Sequence, residues 1–103
     1  MSRVIRIHDE IGGFDYAGAR ASGESIREKI KSEIDSGGYV TLDFVGIEGI
    51  SHSFADEIVG IIVRAFGIEF IKKGDLRLQN ANDDIKAILN FVIRESRKNS
   101  TSA

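Results

Sequence analysis

The fold is decided by residues 39–66, YVTLDFVGIEGISHSFADEIVGIIVRAF. Val40, Leu42 and Phe44 alternate with polar residues, which predicts a strand. Ser53 then stands before an apolar run with helical spacing, and Asp56 three residues later completes a capping-box pattern. We therefore expect a central strand, a glycine-bearing turn and a helix that Ser53 caps. The helix start would lie at the carboxyl end of the strand, where α/β proteins place ligands and partners.

The flanking segments repeat the alternation of strand and helix. A short edge strand is expected at residues 4–8, a helix from about residue 18 to 36, a strand at residues 76–79 and a helix from Asn82 to Arg94. The glycine-rich residues 12–23 lack the spacing of a phosphate-binding loop and are interpreted as a connector. The order predicts an α/β sandwich with a small, mostly parallel sheet of about three to five strands and helices packed on it.

The chain length of 103 residues indicates a single domain. We assign residues 1–95 to this domain and expect the apolar-poor residues 96–103 to form a disordered tail. No residue is cysteine and only two are histidine, so disulfides and thiolate metal sites are excluded and no metal site is expected.

Charge and hydropathy argue against nucleic-acid binding, secretion and membrane insertion. The formal net charge of -2 gives no electrostatic reason to bind nucleic acid. No signal peptide opens the chain, and no apolar stretch reaches the roughly 20 residues that a membrane span needs. These features favour a cytoplasmic protein with no membrane partner.

The predicted second helix carries two apolar stripes. Ala55, Val59 and Val63 lie beside the stripe that faces the core, whereas a surface helix needs only one. The second stripe is explained either by burial against a neighbouring helix or by a partner surface, such as a second copy of the chain. Gly60 in mid-helix indicates a close backbone approach by something not identified from the sequence.

The candidate site is the step from the turn into this helix, residues 51–57. The residues expected to contact a partner are His52, Ser53, Phe54, Asp56 and Glu57. Although Ser, His and Asp occur together there, catalytic triads are assembled from distant positions, so we expect no catalytic residues and no enzyme activity. No cofactor is expected.

The central stretch resembles the STAS domain, the fold of bacterial anti-sigma-factor antagonists. A strand ending in Asp43 and an apolar residue leads through a short loop to a serine at a helix start. Residues 53–57, SFADE, are most similar to the STAS-like domains of unassigned function. The resemblance covers about residues 20–95.

The resemblance implies a regulatory module that binds a protein partner, a GHKL-type ATPase acting as kinase and anti-sigma factor. In such antagonists a serine at the helix start is phosphorylated, and the matching position is Ser53, with Ser51 as a second candidate. Two positions depart from that pattern, because Ser51 and Phe54 stand where antagonists carry Asp and Gly. Ser53 is therefore a helix cap, a phosphorylation site or an unphosphorylated recognition residue.

Two other functions are compatible with the sequence. The same corner could bind a small ligand or nucleotide, as the resemblance to some STAS relatives implies. The chain could instead be a dimerising structural accessory, for which the second apolar stripe is the hint.

Overall fold

Three parallel strands form the main sheet of the computed structural model, which describes residues 2–100. The five strands are β1 (Ser2–Arg6), β2 (Tyr16–Ala17), β3 (Tyr39–Asp43), β4 (Gly49–Ile50) and β5 (Leu76–Gln79). The sheet order β1-β3-β5 places β3 in the centre, with Leu42 opposite Ile5 on one side and Leu78 on the other. The short strands β2 and β4 form a separate parallel pair. The predicted α/β fold with a mostly parallel sheet is confirmed.

Six α-helices and one π-helical turn complete the described chain. The helices are α1 (Ile7–Glu10), α2 (Arg20–Asp35), α3 (His52–Ala55), α4 (Ile61–Phe66), α5 (Glu69–Lys72) and α6 (Asp83–Ser100). The π-helical turn Asp56–Gly60 joins α3 to α4, and we call this continuous element, residues 52–66, the central helix. The short elements α1, α5, β2 and β4 were not predicted, because pieces of two to four residues leave no clear periodicity.

The central helix lies between α2 and α6, and α2 also packs against β1 and β3. Its second apolar stripe, Ala55, Val59 and Val63, is buried throughout, and Phe54, Ile58 and Ile62 of the first stripe are buried as well. Burial inside the domain therefore explains the second stripe, and that stripe offers no surface to a partner. Val40, Leu42 and Phe44 of the central strand segment are also fully buried, as their alternation predicts.

Gly60 is a point of close approach between the central helix and α6. A Cβ added there would lie 2.9 Å from Val92 Cγ1 and 3.0 Å from Ser96 Oγ. Such distances are shorter than ordinary contacts, so the two helices can pack this closely only with glycine at this position. The close approach expected from the sequence is thus made by α6.

The end of α6 differs from the prediction. The helix continues to Ser100 rather than ending near Arg94, so residues 96–100 are helical and not a disordered tail. The physical reason is tertiary packing. Ser96 is buried against the central helix and bonded to Arg64, and this contact stabilises the helix beyond Arg94 although the sequence there is polar. The rest of the predicted tail, residues 101–103, lies outside the described residues.

Candidate functional site

Ser51 begins the central helix as its N-cap. Its backbone is extended, and its Oγ accepts a hydrogen bond of 3.0 Å from the backbone N–H of Phe54. The same hydroxyl donates a 2.9 Å hydrogen bond to the carbonyl oxygen of Gly18, which ties the helix start to the segment before α2. Ser51 therefore both caps the helix and fastens it to a neighbouring element.

The cap expected at Ser53 was placed two residues too late. Ser53 lies within the first turn, and its hydroxyl makes no hydrogen bond with any other residue in the described part of the chain. The error arose because Ser51 and Ser53 are both good caps by type, and only the backbone conformation decides which one stands at the boundary. Asp56, read as the partner of that cap, bonds to arginine instead.

His52 is exposed next to Ser53 and contacts α6. Its ring stands edge-on to Phe91, with 5.5 Å between the ring centroids and an interplanar angle of 85°. Phe91 is itself 48 % exposed, so this aromatic pair forms an accessible rim. His52, one of the predicted partner contacts, therefore lies at the surface and packs edge-on against α6.

Glu57 is the only charged residue buried in the described part of the chain, with 5 % of its surface exposed. Its two carboxylate oxygens accept hydrogen bonds from Arg20 and Arg27 of α2, one from each. The chain can bring these groups together because Gly23 lies against Glu57 and the Phe54 carbonyl. A buried carboxylate held by two guanidinium groups satisfies the requirement that interior charges be paired.

Asp56 connects the central helix to α6 through Arg64. Arg64 donates hydrogen bonds of 2.8 and 3.3 Å to the two carboxylate oxygens, and its Nη1 also bonds to Ser96 Oγ at 2.9 Å. The hydrogen bonds from Arg64 hold the pKa of Asp56 below its usual value, although partial burial opposes this, and Arg20 at 3.6 Å adds to the lowering. The same hydrogen bonds raise the pKa of Arg64.

The π-helical turn makes this pairing possible. The N–H of Ile61 bonds to the carbonyl of Asp56, five residues back, so the turn absorbs one extra residue. Asp56 and Arg64 are eight positions apart, which in a regular α-helix would rotate them by about 80° relative to each other. Because the π-helical turn takes up one extra residue, Asp56 and Arg64 are separated by about the rotation of seven α-helical residues. Seven residues make nearly two whole turns, so the two side chains lie on the same face.

These groups line a groove with a volume of about 320 Å³, which we call the helix-start groove. Its lining residues are His52, Ser53, Asp56 and Arg64 from the central helix, Phe91, Val92, Glu95 and Ser96 from α6, and Arg20 from α2. The groove thus combines an unused hydroxyl, two guanidinium groups and two carboxylates beside an aromatic rim. Within the described residues no group of side chains is arranged to hold a metal ion.

The structure separates the predicted partner contacts into two sets. His52, Ser53 and Asp56 line the groove, whereas Phe54 is fully buried and Glu57 is nearly so. Phe54 and Glu57 therefore support the site from inside and offer no surface to a partner, which corrects their predicted role. Phe54 belongs to the apolar run that faces the core, and Glu57, three residues later on the same side of the helix, faces Arg20 and Arg27 of α2.

The sequence analysis missed the groove residues contributed by other elements. Arg20 and Phe91 come from helices distant in the chain, and no local pattern links them to Ser53. Arg64 gave the one usable signal, because an arginine inside an otherwise apolar helix needs a partner.

Comparison with known proteins identifies one family. A family model described as "STAS-like domain of unknown function (DUF4325)" matches residues 22–86. This range contains β3, the central helix, β5 and the first turn of α6. No curated protein and no solved structure matches the chain significantly. No helix in the described part of the chain is both long and apolar enough to span a membrane.

Proposed function

The chain belongs to the STAS-like domain family of unknown function, DUF4325, and from that premise we propose that it is a regulatory module that binds a protein partner through the helix-start groove. Ser53 is the proposed switch. His52, Asp56 and Phe91 provide the neighbouring contact surface, while Phe54 and Glu57 hold it in place from inside.

The main support for the proposal is that the Ser53 hydroxyl is accessible and, in the described part of the chain, unbonded. Ser51 caps the helix, and the Ser53 hydroxyl forms no hydrogen bond that stabilises the fold within the described residues. It nevertheless lies in the groove at a helix start, where it is half-buried and accessible from one side. Ser51 is the weaker candidate for phosphorylation, because its hydroxyl is already bonded to Gly18.

A phosphate on Ser53 would change the groove by competing for arginine. It adds about -1.5 to -2 charges at neutral pH. Asp56 lies three residues further on the same helical face, and it already engages Arg64 and Arg20. Repulsion between phosphate and Asp56 would weaken these ion pairs and loosen the link from Arg64 to Ser96 of α6. The partner surface would thereby change both in charge and in shape.

The proposed partner is a GHKL-type ATPase that acts on the module as a kinase, as the family resemblance implies. We place the interaction in the cytoplasm, since the absence of cysteine suits a reducing compartment. We propose no catalytic step for this chain, because a serine, a histidine and an aspartate that are close neighbours in sequence rarely converge on one reacting atom.

The test is affinity capture from a lysate of the source cells with the wild type, Ser53→Asp and Ser53→Ala as baits. Ser25→Asp is the matched control, because it adds the same charge on an exposed part of α2. We expect wild type and Ser53→Ala to retain a kinase-like ATPase that Ser53→Asp loses, together with a phosphopeptide containing Ser53 in the wild type. Equal capture by all four baits, with Ser53 never phosphorylated, would contradict the proposal.

A second candidate is binding of a nucleotide or other small anionic ligand. The observation that favours it is the presence of Arg20 and Arg64 in a groove of about 320 Å³. Thermal unfolding with ATP or GTP tests it: a midpoint raised by millimolar nucleotide in the wild type, but not in Arg20→Gln, would support this candidate. An unchanged unfolding midpoint would rule out this candidate and leave partner binding as the remaining proposal.

A further inference from the structure

A second surface of the domain exposes large apolar side chains. Phe14, Tyr16 and Val45 are 70, 55 and 54 % exposed, which makes them three of the four most exposed large hydrophobic residues of the described chain. All three lie in segments beyond the carboxyl ends of β1 and β3. Single exposed apolar residues are ordinary, but a group at one end of a sheet indicates a contact surface.

Contacts between these segments join them into one surface. The His8 ring lies near both glycines next to the apolar residues, since a Cβ added at Gly46 or Gly13 would be 3.2 or 3.8 Å from it. Tyr16 is the register partner of Gly49, and the N–H of Glu48 bonds to the Asp15 carbonyl. We call this surface, built from residues 8–19, 43–51 and 79–84, the carboxyl-end surface.

Acidic residues predominate in the three segments of the carboxyl-end surface. Its three segments contain seven of the 16 acidic residues and none of the 14 Lys and Arg residues. The acidic residues are Asp9, Glu10, Asp15, Asp43, Glu48, Asp83 and Asp84. Asn82 connects the third segment to the second, because its side-chain amide donates a 2.9 Å hydrogen bond to the Glu48 carbonyl.

Most of this negative charge is not neutralised inside the domain. Glu10 pairs with Lys29, but Asp15, Glu48, Asp83 and Asp84 form no ion pair with any described Lys or Arg. Across the sheet, Arg6 is the register partner of Asp43 and is the nearest cation on that strand pair. A near-neutral chain therefore carries a locally acidic end around exposed aromatic rings.

We infer that the carboxyl-end surface docks a basic, apolar-containing segment of a protein partner. Lys or Arg side chains of that segment face the acidic residues, and its apolar side chains cover Phe14, Tyr16 and Val45. Complementary charge favours this occupant. A second copy of the chain is disfavoured, because a two-fold contact would bring the same acidic residues together. Nucleic acid is repelled by the same charge.

This inference goes beyond the proposed function, because it uses neither Ser53 nor the helix-start groove. The two can therefore fail separately. The test uses a synthetic amphipathic peptide of lysine and leucine as probe, with a glutamate–leucine peptide of the same pattern as control. Binding is followed by the amide NMR signals of the full chain.

We expect the basic peptide to shift the amide signals of Phe14, Tyr16, Val45 and Glu48, and to bind more weakly at high salt. The double variant Asp15→Asn/Glu48→Gln should weaken binding about fivefold, since each exposed pair contributes modestly. Phe14→Ala should weaken it by roughly tenfold through lost apolar contact. Circular dichroism of both variants checks that they fold, which is expected because the replaced side chains are exposed.

The matched control is Glu24→Gln/Asp35→Asn, which removes the same charge from exposed positions of α2. Equal weakening by this control would show a general charge effect and overturn the inference. The inference also fails if the shifted signals lie in the helix-start groove, if the acidic peptide binds as well, or if Phe14→Ala abolishes self-association of the free protein.

Discussion

Replacing Gly23 with alanine tests how α2 is seated on the central helix. An added Cβ at this position would lie 2.7 Å from Glu57 Cβ and 3.3 Å from the Phe54 carbonyl oxygen. Neither atom is the end of a flexible side chain, so the clash cannot be relieved by a rotamer change. The helices must move apart, and this movement would also disturb the hydrogen bonds from Arg20 and Arg27 to Glu57.

The magnitude follows from two opposing effects. Carbon atoms pack comfortably at about 3.5–4.0 Å, so the new methyl group is roughly 1 Å too close to Glu57. Overpacking of this kind costs about 1–3 kcal/mol. Alanine recovers up to about 1 kcal/mol through its higher helix propensity. We therefore expect the free energy of unfolding to fall by about 1–2 kcal/mol, or the unfolding midpoint by roughly 5–15 °C.

Urea unfolding followed by circular dichroism measures this difference. Ser25→Ala is the matched control, because it makes a substitution to alanine on an exposed face of the same helix. We expect the control to be as stable as the wild type or slightly more stable. The reasoning would be refuted if Gly23→Ala were equally stable or stabilised, since the close approach would then not constrain the packing.

Four further substitutions test the site. Ser51→Ala should lower the free energy of unfolding by about 1 kcal/mol, whereas Ser53→Ala should change it by less than about 0.5 kcal/mol; equal effects in urea unfolding would contradict the assignment of the cap. Glu57→Ala should cost about 3 kcal/mol because it removes the buried carboxylate that Arg20 and Arg27 share and leaves Arg27 only the exposed Glu28 at 3.7 Å, and a loss below about 1 kcal/mol would show that the pair is not structural. The pKa of Asp56 is below the usual 3.8, so its ionised form stabilises the fold above about pH 4, and this contribution is lost as the pH falls through the folded pKa. The difference in the free energy of unfolding between wild type and Asp56→Asn should therefore be largest near neutral pH and shrink toward pH 2; a constant difference would rule out this linkage.

Part of the candidate site was predictable from local pattern. The sequence located residues 51–57 at a helix start beyond the central strand, because a strand period and a helix period meet there. It did not distinguish Ser51 from Ser53 as the cap, since both are suitable residue types and differ only in backbone conformation. It also did not show that the charged Glu57 is buried, because the two arginines that pair with it lie on α2, 37 and 30 positions away in the chain.

The sequence by itself determined the class of fold, the central position of β3, and the helix caps that use local residues, such as Asn82, whose Oδ1 accepts from the Ile85 N–H. These features depend on neighbours within a few positions. Tertiary structure alone decided the groove, because Arg20 and Phe91 reach Ser53 from other helices. It also decided the pairing of Asp56 with Arg64 across the π-helical turn, and the continuation of α6 past Arg94, where Ser96 is buried and bonded to Arg64.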